Sequence, residues 1–430
     1  MRRRGRNPNE NPGVRPVQQI ELQEKNPKKR IIIAVMLLAI GLGFIGYGVH
    51  AMLNEQGGWT QIQPTSPSAQ SVESELVFLY DLGASGRSPN PEHKALATRY
   101  TQLCRDAYRI FTADEAFDDV KNLYDVNRNV GEAVTVDPAL YGALEKVVAA
   151  GKAGRFLFAA PFYKTYKHLL SAVDDVIAAK YDPLKSEETA ARFATLAGFT
   201  ADESQVSLEL LGDNAVRLTV SDAYLAFAQE QGIETFVDLG WAMNAFVVDY
   251  LADTLTREGY TYGTLSSLDG FIRVLDKRDT AYSYNLYGLV DNAIYNAARL
   301  DYTGGRSIVF LRSFPMTDQD SRYYVYKTGE RIHPYVDVAD GLCKSALDSL
   351  VAYTVPGSTT DGCAAVLLSI LPVYLADTLD SASLAALPAK GVHAMYVDGT
   401  TVYHTEADAR ILNLYRDEEI SFNKKSLPLN

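Results

Sequence analysis

The chain has 430 residues, a net charge of −12 and a hydrophobic content of 47%. Residues 1–30 hold nine Lys or Arg and three acidic residues, or +6; residues 31–54 hold none, so residues 55–430 carry −18. An acidic domain of this kind repels phosphate backbones, which excludes nucleic acid as an expected partner, and its apolar content is too high for a disordered chain.

A charge-free segment follows the basic tail. Residues 31–54 read IIIAVMLLAIGLGFIGYGVHAMLN, and about 20 apolar residues are enough to span the hydrocarbon core of a bilayer. The basic residues before it predict a cytoplasmic N-terminus. A cleaved signal peptide is the alternative, but its apolar core is usually only about 7–15 residues long and ends at a small-residue cleavage site. We therefore predict a cytoplasmic tail (1–30), an uncleaved single-pass transmembrane signal-anchor (31–53) in the cell membrane, and an extracytoplasmic domain.

The rest of the chain divides by composition. Residues 54–74 are rich in Gly, Ser, Pro, Thr and Gln and predict a flexible linker. No second linker appears within residues 75–420, which predicts one large domain or two interlocked lobes. Residues 421–430 are interpreted as a C-terminal tail.

Helical and strand patterns alternate along this domain, which predicts an α+β fold. Asp137-Pro138 supplies a cap and a first-turn proline for a helix that stops near Gly151. Apolar residues three and four apart predict a second helix over 242–257, and an apolar run predicts a third over 361–377, kinked or ended by Pro372. Segments rich in β-branched and aromatic residues predict strands at 205–211, 215–220, 307–311, 322–327, 392–397 and 400–404, the last two joined as a hairpin through Asp398-Gly399.

Generic catalytic motifs do not identify an activity. The sequence has no phosphate-binding P-loop, no G-x-S-x-G and no H-E-x-x-H, and its six histidines are too dispersed for metal-ligand spacing. Three scattered cysteines allow at most one disulfide, and small buried apolar residues are their simpler interpretation: Cys104, Cys343 and Cys363.

Three longer segments are more informative. They read VDLGWAMNAFVVD (237–249), IHPYVDVADG (332–341) and DGCAA (361–365). In this order they resemble the FAD:protein FMN transferase (ApbE) family, which carries DLGGIAKGYAVD, then HIIDPRTG, then a D-A-x-A-T helix. Segments 123–147 and 154–161 and the Asp398-Gly399 hairpin extend the resemblance over about residues 115–410.

The resemblance implies a flavin-transferase fold and a chemistry. Members of the family hold Mg²⁺ and FAD, cleave the pyrophosphate and attach FMN to a Thr or Ser hydroxyl of a target protein, chemistry that needs a hard cation and a base. Carried over residue by residue, it implies catalytic roles for His333 and Asp337, Mg²⁺ binding by Asp361, and flavin binding by Asp238, Gly240, Asn244, Asp249 and Gly270.

The sequence departs from the family at polar positions, while the apolar framework is kept. Trp241 stands in place of a glycine, and Asn244 in place of the lysine that would face phosphate. The other departures are Ala365 for the metal-binding threonine, Pro334 for the flavin-side histidine, and Leu157 and Ala159 for an aspartate and a threonine. Losing a metal oxygen, a cation and a glycine together predicts a degenerate relative with weakened or lost catalysis.

Simpler roles remain open for these residues. Asp361 and Asp238 are each placed to cap a helix, and Asp249 is placed to be a buried structural carboxylate. A histidine next to a proline in a polar loop, such as His333, is more often a surface residue than a catalytic one. Two functions are therefore expected: a transferase that flavinylates an exterior flavoprotein or membrane redox subunit, or a non-catalytic flavin-binding or scaffold subunit.

Overall fold

The computed structural model describes residues 57–358 and 360–427. The predicted cytoplasmic tail and transmembrane segment lie outside these residues. Within the described part, no helix is both long and apolar enough to cross a membrane. Cys104, Cys343 and Cys363 are all free thiols, and the first and last are fully buried, so their interpretation as small core residues holds for these two.

Helices make up one layer. α3 shows why they form where they do: Asp137 caps it by accepting a hydrogen bond from the amide of Ala139, and Pro138 opens its first turn. The described helices are α1 (Pro89–Phe111), α2 (Leu123–Arg128), α3 (Pro138–Ala149), α4 (Ala160–Leu170), α5 (Asp175–Tyr181), α6 (Glu187–Thr200), α7 (Asp222–Gln231), α8 (Met243–Arg257), α9 (Cys363–Tyr374) and α10 (Ser381–Ala386).

The strands form one large and three small sheets. They are β1 (Gly58–Gln61), β2 (Leu76–Leu82), β3 (Ala133–Thr135), β4 (Val206–Gly212), β5 (Ala215–Val220), β6 (Gly263–Ser267), β7 (Phe271–Val274), β8 (Ala281–Val290), β9 (Ala293–Thr303), β10 (Arg306–Arg312), β11 (Tyr324–Val325), β12 (Arg331–Ile332), β13 (Ser349–Thr354), β14 (Val392–Asp398), β15 (Thr401–His404), β16 (Arg410–Leu412) and β17 (Asn423–Ser426). The main sheet has the order β1-β2-β6-β7-β10-β13-β14-β15-β17, and only its β15–β17 pair is parallel. The small sheets are β16-β9-β8, β3-β5-β4 and β11-β12.

The main sheet is covered on both faces. Along β10, Val309 and Leu311 pack into the core shared with the helices, whereas Ile308 and Phe310 pack into a second core with β8, β9 and β16. Alternate residues of a strand point to opposite faces, so a strand buried on both sides reads as a continuous apolar run. The α+β class predicted from the sequence is confirmed, and the run SIVFL is explained.

Most predicted elements are present, with shifted ends. The helices expected over 242–257 and 361–377 appear as α8 and α9, and Pro372 lies two residues before the end of α9. The predicted hairpin is β14–β15, but Asp398 pairs with Thr401, so its loop is Gly399-Thr400 and not Asp398-Gly399. The strand expected over 322–327 shrinks to the two residues of β11, because only these pair with β12.

Both ends of the domain extend beyond the predicted boundaries. β1 lies within the predicted linker and pairs with β2, from Gly58 opposite Leu82 to Gln61 opposite Leu79. Ile62 and Val72 are buried, and these apolar anchors outweigh the flexible composition around them. β17 lies within the predicted tail and forms the opposite edge of the main sheet. The folded domain therefore includes part of the predicted linker and part of the predicted tail.

Candidate functional site: an aromatic cavity at the start of α8

A cavity of about 480 Å³ lies where α8 begins. Several positions of the sequence motifs line it, among them Gly240, Asn244 and Pro334. Lys167 and Arg322 line it as well. Its walls are mainly aromatic: Tyr163, Tyr166, Trp241, Phe271, Tyr323 and Tyr335. Segments that are far apart in the sequence therefore meet around one concave, largely apolar space, which we call the aromatic cavity.

The turn before α8 is fixed by Asp238 and Gly240. Asp238 donates its amide to the carbonyl of Leu157 (2.9 Å), and its carboxylate accepts the amide of Gly240 (3.0 Å). Gly240 has a φ of +53°, and a Cβ there would lie 2.1 Å from the ring of Tyr163. Only glycine fits, so the Gly240 position is explained by packing against α4. Burial raises the pKa of the Asp238 carboxyl to about 6.

Trp241 forms a wall of the aromatic cavity. Its ring meets Tyr335 edge-on, with ring centroids 4.9 Å apart at 88°, and lies 5.9 Å from Phe156. The indole therefore fills space beside the backbone that a glycine would have left open, as expected from the sequence. Leu157 and Ala159, which replace polar residues of the family pattern, are both fully buried.

Asn244 is held by two carboxylates. Its Nδ2 donates to Glu75 (2.6 Å) and to Asp269 (2.9 Å), and the side chain is only 3% exposed. Burial raises the pKa of Asp269. This end of the cavity presents an amide between acids, which disfavours a bound phosphate. Neither Glu75 nor Asp269 stood out in the sequence, since an isolated acid far along the chain has no spacing signal.

Pro334, and not His333, lines the cavity. His333 is 6% exposed, its ring lies 5.2 Å from that of Tyr335, and its carbonyl accepts the thiol of Cys343 (2.9 Å). Burial lowers the pKa of His333 to about 4, so the imidazole is neutral at pH 7. The interpretation as a surface histidine is wrong, and the geometry offers no contact that supports the predicted catalytic role.

Asp337 and Gly270 also have structural roles. The Asp337 carboxylate accepts the amide of Ala339 (2.9 Å) and pairs with Lys344 (3.0 Å), closing the loop that ends at Gly341. Gly270 has a φ of +109°, and a Cβ there would lie 2.3 Å from the carbonyl oxygen of Phe310. Gly270 borders a neighbouring cavity of about 770 Å³ instead of the aromatic one. The structure thus does not bring these two predicted site residues to the aromatic cavity.

Asp249 and Asp361 meet at an arginine. Arg273 on β7 donates to Asp249 (2.8 Å) and Asp253 (3.0 Å) and lies 3.4 Å from Asp361. Although burial disfavours its charge, the carboxylates of Asp249 and Asp253 raise the pKa of Arg273 above its usual range. Asp361 does not cap α9. Asp249 does so from α8, accepting the amides of Cys363 (2.7 Å) and Ala364 (3.0 Å).

Comparison with known proteins identifies the fold. No protein-family model matches the sequence, and no curated protein matches it. Solved structures do match, among them the ApbE protein of Thermotoga maritima, with a TM-score of 0.52 and 11% identity over 80% of this chain and 94% of that chain. The flavin transferase ApbE of Vibrio cholerae gives 0.53 and 13% over 82% and 97%, and its variant with a histidine replaced by glycine gives 0.51 and 14% over the same shares.

The chain has the fold of the ApbE flavin transferases. This confirms the fold that the motif order implied. At such low identity the likeness carries no residue roles, and these depend on the geometry described above.

Magnesium does not fit the position that the ApbE resemblance implied. Asp361 faces the guanidinium of Arg273, and Ala365 offers no side-chain oxygen. Within residues 57–358 and 360–427, no group of three or more His, Cys, Asp or Glu is arranged to hold a metal ion. A hard cation needs several oxygen ligands, so a guanidinium occupies the electrostatic role that a metal would have there. Arg273 could not have been foreseen, because no motif residue accompanies it.

Replacing Arg273 by Met should destabilise the fold by about 3–5 kcal/mol, because it leaves the Asp249 carboxylate buried without its cation. Urea unfolding would measure this loss. Arg299→Met is the control, since Arg299 pairs with Asp301 at the surface and should cost at most about 1 kcal/mol. Mg²⁺ should leave the unfolding midpoint of the unmodified chain unchanged and should partly rescue Arg273→Met. Tight Mg²⁺ binding by the unmodified chain that is lost in Asp361→Asn would contradict this assignment.

His333 should make the fold acid-sensitive. Because its pKa is lower when folded than the usual 6.5, its contribution to stability is present above pH 6.5 and is lost as the pH falls toward 4. By pH 5 the unmodified chain should have lost ~2 kcal/mol more than His333→Gln, with both compared to their values at pH 7. Exposed His168→Gln is the control and should follow the unmodified chain. Parallel pH profiles for all three proteins would refute a buried neutral His333.

Proposed function

We propose that the chain is a membrane-anchored, extracytoplasmic flavin-binding protein on the ApbE fold, with transfer of FMN to a protein hydroxyl weakened or lost. The observation that supports this is the aromatic cavity. Motif positions Gly240, Asn244 and Pro334 all line it, but none offers a base or a free cation. The proposal separates the binding of a flavin from the chemistry performed on it.

The aromatic cavity suits the ring system of a flavin. Its volume of about 480 Å³ falls in the range of about 300–1,000 Å³ common for small-molecule sites. Trp241, Tyr335 and Tyr323 supply flat apolar surfaces for a planar ligand, while Ser321 and Arg322 supply polar groups. FAD and related flavins are therefore the proposed ligands, held by the rings of the cavity, and Mg²⁺ has no proposed role.

The same cavity is poorly suited to transfer. Moving a phosphoryl group from one oxygen to another needs a base for the incoming hydroxyl and positive charge on the phosphates. Pro334 has no proton-accepting group, and Asn244 lies between the carboxylates of Glu75 and Asp269. These carboxylates would repel the negative charge that develops on a phosphate during transfer. The transition state would therefore not be stabilised relative to the bound substrate.

A protein that binds a flavin without transferring it would act as a flavin carrier or store. A flavin-binding domain on a membrane anchor would present or retain the flavin for an exterior flavoprotein or a membrane redox subunit. A scaffold subunit that binds no flavin is the second candidate, favoured by Trp241 reducing the open space beside Gly240. Flavin titration separates the two candidates.

The anchor is tested on intact cells. Protease added outside should release the folded domain, because the predicted span at 31–53 holds it at the outer face, and the basic tail should stay protected. Mass spectrometry of the released fragment gives the cleavage site, which should fall at or before the start of β1. Recovery of a mature chain that lacks residues 1–50 and does not sediment with membranes would support a cleaved signal peptide instead.

Flavin binding is tested with the purified full chain. FAD and FMN should bind saturably and lose fluorescence on stacking against Trp241, and Trp241→Leu should weaken affinity about tenfold. The chain has only one other tryptophan, Trp59, which lies on β1 and is 47% exposed, so Trp59→Leu is a matched control that should bind normally. Failure of every flavin to bind would favour the scaffold function.

Transfer is tested in the same preparation. With FAD, Mg²⁺ and a candidate acceptor protein, the unmodified chain should give little or no flavin fluorescence that survives denaturing electrophoresis. Robust covalent labelling by the unmodified chain would return it to the transferase class.

A further inference from the structure

A second cavity lies beside α4, next to the aromatic cavity. Its volume is about 700 Å³, and its walls come from α2, α4, α6 and the segment 231–238. Tyr163 and Lys167 line both this cavity and the aromatic cavity. The two spaces are therefore neighbours that share the side chains of one helical turn, because residues four apart on a helix face the same side.

The second cavity concentrates positive charge in an acidic domain. Lys164, Lys167 and Arg192 line it, and within residues 57–358 and 360–427 none of the three has a carboxylate within ion-pair distance. Arg128 also lines it but is neutralised by Glu234 at 2.7 Å. The whole segment 55–430 carries −18, so three unpaired cations around one concave space are unusual. We call this space the basic cavity.

Arg192 is the cation of the basic cavity that is best placed to bind an anion. It is half-buried, and burial lowers its pKa. Its guanidinium donates to the hydroxyl of Thr165, and no carboxylate of the described residues lies within ion-pair distance of it, while Glu188 acts on it only at longer range. A partly desolvated guanidinium gains more from an anion than a fully hydrated one does.

Two carboxylates oppose this charge. Asp114 and Asp238 also line the basic cavity, and His168 stacks on Tyr181 at its edge. The Asp238 carboxylate accepts the Gly240 amide at 3.0 Å and attracts Lys167 at longer range, so the two acids together offset two of the three unpaired cations. The balance over the free groups stays positive.

One end of the aromatic cavity is acidic and the other end is basic. Glu75 and Asp269 lie at the end near Asn244, where a phosphate is disfavoured. Lys167 lies at the α4 side, and the basic cavity begins there. A ligand with an aromatic ring and an anionic tail therefore has one favourable orientation, with its ring among the aromatic walls and its tail directed past Tyr163.

We propose that the basic cavity is the phosphate subsite for a phosphorylated flavin whose ring lies in the aromatic cavity, with Lys164, Lys167 and Arg192 binding the phosphate groups. This rests on the proposed function for the ring and on the charge of the basic cavity for the phosphate. It names the ligand class as a flavin phosphate ester and not riboflavin. It also places the phosphates in a cavity that Asn244 does not line.

The test compares ligands that differ only in phosphate. FMN should bind the full chain about tenfold more tightly than riboflavin in fluorescence titrations, and its affinity should fall with rising salt. The double variant Lys164→Gln with Arg192→Gln should bring FMN to the affinity of riboflavin while riboflavin binding stays unchanged, because both residues line only the basic cavity. Lys180→Gln is the charge-matched control, because exposed Lys180 on α5 lines neither cavity. Inorganic pyrophosphate should compete with FMN and not with riboflavin.

The outcomes separate this proposal from the proposed function. Equal affinities of FMN and riboflavin, or an equal loss of both in the double variant, would overturn the phosphate subsite and leave flavin binding intact. If no flavin binds, the proposed function fails. Calorimetry with inorganic pyrophosphate then tests, independently of any flavin, whether the basic cavity binds anions. Pyrophosphate binding that is lost in Arg192→Met and in the double variant would support an anion site, and no binding would overturn it.

Discussion

The buried carboxylate of Asp249 connects three elements of the domain, α8, α9 and β7. From α8 it accepts two amides at the start of α9, and it pairs with Arg273 on β7 of the main sheet. Gly362, just before α9, has no room for a Cβ, which would lie 2.4 Å from this carboxylate. Because α8 is a rigid rod of 15 residues, fixing it at Asp249 also fixes where its first residues lie. The orientation of Asn244 and Trp241 toward the aromatic cavity depends on this junction.

Arg273 neutralises Asp249 at this junction without a metal ion from solution. A carboxylate with 6% side-chain exposure is costly to bury unless it is paired and hydrogen-bonded, and here Arg273 and the α9 amides meet both needs. An ion from solution would have to be recruited at each folding event, whereas a guanidinium is part of the chain. Arg273 thus accounts for the stability of this junction without a metal ion, although the polar positions of the motif differ from the family pattern.

The sequence was informative where periodicity and caps repeat over many residues. α8, α9 and the β14–β15 hairpin were predicted because apolar spacing, Asp137-type caps and a glycine turn act locally. The candidate site was harder. Glu75 is 169 residues from Asn244, and only the folding of the chain brings the two into contact. Isolated polar residues on different strands leave no spacing pattern, so only the positions inside contiguous motifs could be foreseen.

Adjacent residues can have different surroundings, which limits how accurately a site residue can be assigned from a motif. His333 packs inward against Tyr335 while Pro334 borders the cavity, so assigning the histidine from its nearness to the motif gave the wrong environment. The composition of residues 54–74 was misleading for a similar reason: it averages over Trp59, Ile62 and Val72, and two of these three are buried. The average composition of a polar segment does not reveal the few apolar residues that anchor it to the core.

β1 and β17 are the two edge strands of the main sheet, and each lies next to one end of the described chain. Nine strands at a spacing of about 4.8 Å put these edges roughly 38 Å apart, before twist is considered. A partner tethered near one end would therefore be held a full sheet width from a partner fused to the other. Deleting β17 would also uncover the hydrogen-bonding groups of β15, creating a fresh edge able to pair with a second molecule. β17 thus covers hydrogen-bonding groups of β15 that would otherwise lie at the edge of the sheet.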